Sequence, residues 1–266
     1  MEPEIIGPTQ LYLGDCLNVM SNMEKNSIDL VVTSPPYWNQ REYSSWPTYN
    51  DYMDSVEKWI EQISIILKPG RHCFWVIPDK LPWPPKLNGT RERLYMPIYA
   101  DSERIATGHG LIPEFPIIWL KYQASQRMFG SYPYPPTIIH TPMTERICVW
   151  RKPGKADLSC KTEESKISLE DWKEISKDIW QFRAPDKKLH PAKFSLELPA
   201  RCIKCWSFVN DVVFDPFMGE GTTGCACIKL KRQFVGSELN PEYFGFAEQE
   251  ISKTVLEAAQ VTMDGF

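Results

Sequence analysis

Apolar positions recur along this chain alternately at strand spacing and at helix spacing, and the alternation is clearest toward its two ends. Ile28 to Thr33 is a short β-branched run halted by two prolines, the pattern of a buried strand that stops at a loop. From Asp54 to Leu67, Val56, Trp59, Ile60, Ile63 and Leu67 fall on one helical face, and Lys68-Pro69-Gly70 is expected to end that helix. His72 to Ile77, Phe115 to Leu120 and Ile147 to Arg151 read as further strands. Later, Lys193 to Trp206 predicts a helix, Asp211 to Phe214 a strand, Gly221 to Leu230 a helix and Gln233 to Ser237 a strand, a β-α-β unit preceded by a helix. Strand alternating with helix is the pattern of a mostly parallel sheet covered on both faces.

Two stretches break the pattern. Residues 78–110 carry Lys80, Lys86, Arg91 and Arg93 among aromatic residues and prolines, and residues 152–188 are strongly charged, with a candidate acidic helix from Leu169 to Ile179. Neither reads as core, so both are expected to be insertions in one domain spanning 1–266. Ser131 to Pro136 is too proline-rich for a regular element and predicts a loop over a surface.

Composition narrows the class. At 42% hydrophobic and 24% charged residues the chain is that of an ordinary globular protein, and no apolar run nears the roughly 18 residues that span a bilayer. The acidic, proline-containing start has neither a basic segment nor an apolar core of a leader, so the expected location is cytoplasmic. The eight cysteines then read as packed thiols; Cys202-x-x-Cys205 and Cys225-x-Cys227 lie in expected helices, and no metal site is expected. A net charge of -4 argues against a protein that coats nucleic acid indiscriminately, while a local basic face remains compatible with it.

Two motifs carry chemistry. The first, Asp215-Pro216-Phe217-Met218-Gly219-Glu220-Gly221-Thr222-Thr223-Gly224, sits where a strand feeds a helix, and glycines there let a ligand approach the backbone. Glu238 ends the next strand, where a carboxylate can accept from both hydroxyls of a ribose. By itself this arrangement also satisfies the dinucleotide fingerprint, and a ligand-free tight turn would look the same. The second motif, Thr33-Ser34-Pro35-Pro36-Tyr37, follows the buried strand directly. Its prolines stiffen the chain and fix carbonyl acceptors, Ser34 adds a hydroxyl and Tyr37 a flat ring. Such a loop suits an exocyclic amine, which needs acceptors, on a base that needs an aromatic surface to stack on.

Together the two motifs resemble the amino-methylating DNA methyltransferases of the permuted β group, with Thr-Ser-Pro-Pro-Tyr early and Asp-Pro-Phe-x-Gly-x-Gly-Thr-Thr late. The resemblance implies a Rossmann-like S-adenosylmethionine-dependent methyltransferase fold in circularly permuted motif order. It also implies that Asp215, Pro216, Phe217, Gly219, Gly221, Thr222, Thr223 and Glu238 hold the cofactor, and that Ser34, Pro35, Pro36 and Tyr37 are catalytic. Gly14-Asp15 resembles the family's segment near the cofactor adenine, and Leu189-His190-Pro191-Ala192-Lys193-Phe194 one that lines the same pocket, adding Asp15, Thr33, His190 and Pro191. Ile118 to Lys121 with Glu145 to Lys152 resembles the hairpin that ends the catalytic sheet.

The implied reaction is direct methyl transfer to a base flipped out of double-stranded DNA, with no metal and no covalent intermediate. Ser34 points to cytosine N4, since adenine-N6 members favour Asp or Asn at that place; adenine remains the alternative. Methylation at cytosine C5 would need a cysteine after a proline, and no Pro-Cys pair occurs. DNA contacts are expected from Lys80, Lys86, Arg91, Arg93, Lys121, Arg127, Tyr132 and Tyr134, because phosphate binding needs cations and base readout needs groove-reaching side chains. The resemblance also suggests a restriction-modification role with a cognate endonuclease, and a homodimer. Two rivals stand beside it: a nicotinamide oxidoreductase using the same glycines, and a non-catalytic DNA-binding protein of the same descent.

Overall fold

The computed structural model describes residues 2–38, 46–82, 95–121, 129–130, 133–135, 138–140, 142–182 and 195–263. In chain order its strands are β1 (Glu4–Ile6), β2 (Thr9–Leu13), β3 (Ile28–Thr33), β4 (Leu67–Ile77), β5 (Leu81–Pro82), β6 (Tyr95–Met96), β7 (Ile112–Pro113), β8 (Ile117–Lys121), β9 (Phe129–Gly130), β10 (Ile138–Ile139), β11 (Thr144–Arg151), β12 (Ile179–Phe182), β13 (Val212–Asp215) and β14 (Gln233–Glu238). The helices are α1 (Cys16–Ser21), α2 (Tyr49–Ile66), α3 (Ile98–Gly108), α4 (Leu169–Ile175), α5 (Glu197–Trp206), α6 (Thr222–Lys229) and α7 (Pro241–Met263).

A ten-stranded sheet in the order β1-β2-β14-β13-β3-β4-β11-β8-β12, with β7 also paired to β11, organises the molecule. β2, β14, β13, β3 and β4 run parallel; β11 runs against β4 and β8, and β12 lies parallel to β8. Every residue of β3 is buried, as expected of a central strand covered on both faces. Its side chains divide the core, the alternation being shifted by an irregularity between Ile28 and Leu30: Ile28 and Val31 join α1, α2 and α3 on one face, while Leu30 and Val32 join α4, α5, α6 and α7 on the other. Because all five parallel strands end on one side, the crevice at their carboxyl ends is where the loops after β2, β3, β13 and β14 meet. Among the described residues no helix is long and apolar enough to cross a membrane.

Several expectations change. α2 begins at Tyr49 rather than near Asp54, because Thr48 and Asp51 form a capping box: Asp51 N–H donates to Thr48 Oγ1 at 3.1 Å and Thr48 N–H to Asp51 Oδ2 at 2.9 Å. Lys68-Pro69-Gly70 is not a turn after the helix. The chain passes straight from α2 into β4, and Gly70, at φ +75°, bulges so close to the backbone of Ala156 that a Cβ would fall 2.2 Å from its nitrogen. The two interrupting stretches contribute to the core after all. Ile98 and Ala106 of α3 are fully buried, and so is Trp180, whose strand β12 extends the sheet beyond the β8–β11 hairpin that was expected to end it. The acidic helix stops at Ile175, four residues short, since Ile179 begins β12. α1, α3, β2 and the C-terminal α7 were not anticipated.

Candidate active site

The two motifs converge at the carboxyl rim, and a single hydrogen bond ties them: Thr33 Oγ1 at the end of β3 donates to Asp215 Oδ1 at the end of β13, 2.6 Å away. Asp215 also accepts from Thr223 Oγ1 at 2.7 Å and from the Phe217 N–H at 3.1 Å. Thr33, Asp215 and Thr223 have at most 1% of their surface exposed. These three side chains therefore face one another, fixing the strand-to-helix turn rather than presenting themselves to a ligand. Burial outweighs the hydrogen bonds and pushes the Asp215 carboxyl up to about 6.

The accessible side of the turn is made by Phe217, Gly219 and Thr222, with Pro216 buried beneath. Phe217 packs edge-on against Trp59, ring centroids 4.9 Å apart. Gly219 and Gly221 both take positive φ, +53° and +78°, for different reasons. A Cβ on Gly221 would lie 2.9 Å from Ile251 and 3.1 Å from Ala247 of α7, so this glycine lets the helices close up, whereas a Cβ on Gly219 would meet nothing within 4 Å and would project into the crevice.

Glu238 ends β14 beside this opening. Its Oε2 accepts from the Gly219 N–H at 3.0 Å and its Oε1 from the Asn240 N–H at 2.9 Å, and burial raises its pKa above the usual carboxylate range. Each oxygen keeps lone pairs for a further donor. On the neighbouring strand Asp15 caps α1, accepting through Oδ1 from Leu17 N–H at 2.8 Å and Asn18 N–H at 3.3 Å, and Gly14 N–H reaches the Glu238 carbonyl at 2.8 Å. Two half-buried carboxylates thus stand at this opening, Glu238 on the Gly219 N–H and Asp15 at the start of α1, a setting suited to a cationic, hydroxyl-rich cofactor.

The Ser34 to Tyr37 loop closes the other side. Ser34 Oγ donates to the Val76 carbonyl of β4 at 3.1 Å, Tyr37 Oη lies 3.3 Å from the same carbonyl, and the two hydroxyls are 3.1 Å apart. Burial holds the Tyr37 hydroxyl well above its ordinary pKa, so it stays protonated. Pro35 is buried, while Ser34, Pro36 and the Tyr37 ring keep part of their surface. Sequence reasoning missed Val76, whose main chain anchors the loop, since a backbone acceptor leaves no residue signature.

Of the expected DNA contacts, Lys80 is exposed just past β4, and Tyr134 is 76% exposed. Lys121, at the end of β8, is ion-paired with Glu145 and lies 4.9 Å from the centroid of the Trp119 ring, so its charge is already matched. His190, Pro191, Lys86, Arg91, Arg93, Arg127 and Tyr132 lie outside the described residues. Cys202, Cys225 and Cys227 are buried in the core beneath α5 and α6, with Cys205 half-buried.

This sheet and rim are those of a DNA methyltransferase, and sequence comparison agrees. The chain belongs to the N6/N4 DNA methylase family, whose profile matches residues 28–249. A putative DNA modification methylase from Thermus thermophilus, solved with S-adenosyl-L-methionine, is 30% identical and superimposes with a TM-score of 0.77, covering 92% of this chain and 93% of that one. The Type II methyltransferase M.BglII of Bacillus subtilis is 26% identical over 255 residues, 91% of this chain and 69% of the relative. PvuII DNA methyltransferase (cytosine-N4-specific) shares the fold, with a TM-score of 0.72 at 18% identity over 100% of this chain and 96% of that one. The protein is thus an S-adenosylmethionine-dependent DNA methyltransferase, and the nicotinamide reading of the glycines falls away.

Proposed function

We propose that this enzyme methylates the exocyclic N4 amine of a cytosine flipped out of double-stranded DNA, within one catalytic domain. The observation that carries the reading is the Thr33–Asp215 bond, which ties the loop of amine acceptors to the glycine-rich turn. Ser34 supplies the preference for cytosine, by its resemblance to the cytosine-N4 group.

In this reading Glu238 accepts from the ribose hydroxyls, Asp15 lies toward the adenine, and Phe217, Gly219 and Thr222 border the methionine part, with Asp215, Thr33 and Thr223 holding the turn behind them. S-adenosylmethionine supplies an electrophilic methyl group on a sulfonium centre. The chain's own task is to place a nucleophile against it. Because the Ser34 proton is spent on Val76, the outward lone pairs of its oxygen are acceptors for the amine, and the Pro35 carbonyl is a second. Tyr37, braced by its buried hydroxyl, offers its ring as the surface on which the extracted base stacks. Lys80, Tyr134 and the basic residues outside the described segments contact the duplex. A cognate endonuclease and a homodimer belong to the same proposal, the first supported by the Type II names of the relatives.

The test is to express the protein in cells lacking other methylases, digest their DNA to nucleosides and analyse them by mass spectrometry. N4-methylcytosine is the expected product. N6-methyladenine would overturn the base assignment alone, and neither product would favour the non-catalytic DNA-binding reading.

A further inference from the structure

Once an exocyclic nitrogen has accepted a methyl group it carries a positive charge and must lose a proton. Its lone pair forms the new bond to carbon, the carbon–sulfur bond breaks with its electron pair left on sulfur, and an N–H proton has to go to some base. The acceptors placed so far cannot keep it: Ser34 offers a neutral hydroxyl, Pro35 an amide carbonyl, and Tyr37 a phenol that burial keeps protonated. A carboxylate can.

We infer that Glu145 is this proton acceptor, an assignment that rests on the methyl-transfer reading above. β11 runs against the parallel strands, so its first residues emerge at the rim where β3 and β4 end. Ile147 pairs with Val76, the residue whose carbonyl anchors Ser34 and Tyr37, and Glu145 lies two positions further out on the same side of the strand. Adjacent strands lie about 4.8 Å apart, so β11 stands about 10 Å from β3 with β4 between them, and β4 is the strand whose Val76 carbonyl anchors Ser34. The Glu145 side chain is 13% exposed, and Lys121 of β8 pairs with it directly. Trp119 sits opposite Glu145 in register. Burial first, and the Glu145 charge after it, raise the pKa of the Tyr37 hydroxyl on the loop after β3, so this carboxylate lies within electrostatic reach of that loop. On the opposite face of β11, which looks toward α3 and the core cluster that Tyr37 joins, Arg146 is matched by Asp79 at 3.0 Å, with Tyr99 of α3 beneath its guanidinium.

The other rim carboxylates among the described residues are committed elsewhere. Asp215 is sealed by three hydrogen bonds, Glu220 belongs to the glycine turn after β13, and Glu238 and Asp15 lie beyond β13 from the loop after β3; Asp79, paired with Arg146 as Glu145 is with Lys121, is the competing carboxylate that the experiment below separates.

Single-turnover transfer of tritiated methyl groups to genomic DNA from methylase-free cells, followed from pH 5 to 9, tests the assignment, with cofactor binding measured by calorimetry. Glu145→Gln should slow transfer about 100- to 1,000-fold, in the range of a lost general base, while cofactor Kd and KM for DNA change less than about threefold. Its remaining activity should lack the acid limb of the pH profile. Glu145→Asp should keep that limb at an intermediate rate. An undiminished rate in Glu145→Gln, a loss confined to KM for DNA, or an acid limb that disappears in Asp79→Asn instead would each overturn the assignment while leaving the methyltransferase intact. A wild-type protein that binds cofactor and transfers no methyl would overturn the underlying reading and this inference with it.

Discussion

Asp215→Asn isolates what the buried turn costs the folded protein. Ionised, Asp215 must hold a charge with 1% of its surface exposed, and burial moves its pKa from the ordinary 3.8 to about 6. Each pH unit of separation corresponds to about 1.36 kcal/mol, so the whole interval amounts to about 3 kcal/mol. The folded pKa lies above the unfolded one, so between these values the folded state binds more protons. The group's contribution is fully present below pH 3.8 and is lost as pH rises through about 6. Asparagine preserves the shape: its oxygen can accept from Thr33 and Phe217 where Oδ1 does, and its amide can donate to the Thr223 hydroxyl where Oδ2 accepts. Urea denaturation of both proteins at several pH values is the assay, because groups elsewhere titrate alike in each and cancel. The stability of Asp215→Asn relative to wild type should rise by about 2 to 3 kcal/mol between pH 4 and 7.5. A difference that stays within about 0.5 kcal/mol over that range would refute the claim that a buried, partly neutralised carboxyl organises this turn.

Three further outcomes separate packing from function. Gly219→Ala, strained only in its backbone, should cost about 1 to 2 kcal/mol while weakening cofactor binding at least tenfold by calorimetry; Gly221→Ala meets α7 and should cost about 2 to 4 kcal/mol in thermal denaturation. Trp180→Ala should destabilise by about 3 to 5 kcal/mol and keep a single unfolding transition, since the ring is fully buried and its Nε1 donates to the Ile175 carbonyl; a cost under about 1 kcal/mol would make β12 an appendage. Tyr37→Phe removes the hydroxyl that bridges Ser34 and Val76 and should slow methyl transfer about tenfold or more with cofactor affinity unchanged; equal loss of both would undo the division of roles at the rim.

How much of this was legible in the sequence depended on how local the physics was. β3 announced itself because its run is β-branched and apolar and two prolines stop it, and the β13-α6-β14 unit because its elements are short, adjacent and punctuated by glycine. α7 escaped because Phe244, Ala247 and Ile251 form a narrow stripe with Gly245 inside it and charged residues around it. β12 escaped for a different reason. Its partner, β8, lies about sixty positions earlier, and without that partner Ile179 to Phe182 looks like the tail of the acidic helix.

The site residues divide in the same way. A glycine-rich turn and a proline-stiffened loop leave compact motifs, so candidates were readable, but the direction of each side chain was not. Asp215 turns inward because Thr33, 182 positions away, supplies a donor that no local pattern reveals. Glu145 was legible only as part of the segment that resembles the hairpin ending the catalytic sheet. It becomes chemistry because β11 runs opposite to its neighbours and brings its amino-terminal end, rather than its carboxyl end, to the catalytic rim. In the proposed assignment the antiparallel strand thereby supplies a carboxylate on the base side of β3, opposite the Asp15 and Glu238 carboxylates that follow the parallel strands β2 and β14. Under that assignment, reversing a single strand is enough to give the two halves of one rim different tasks, binding a cation on one side and accepting a proton on the other.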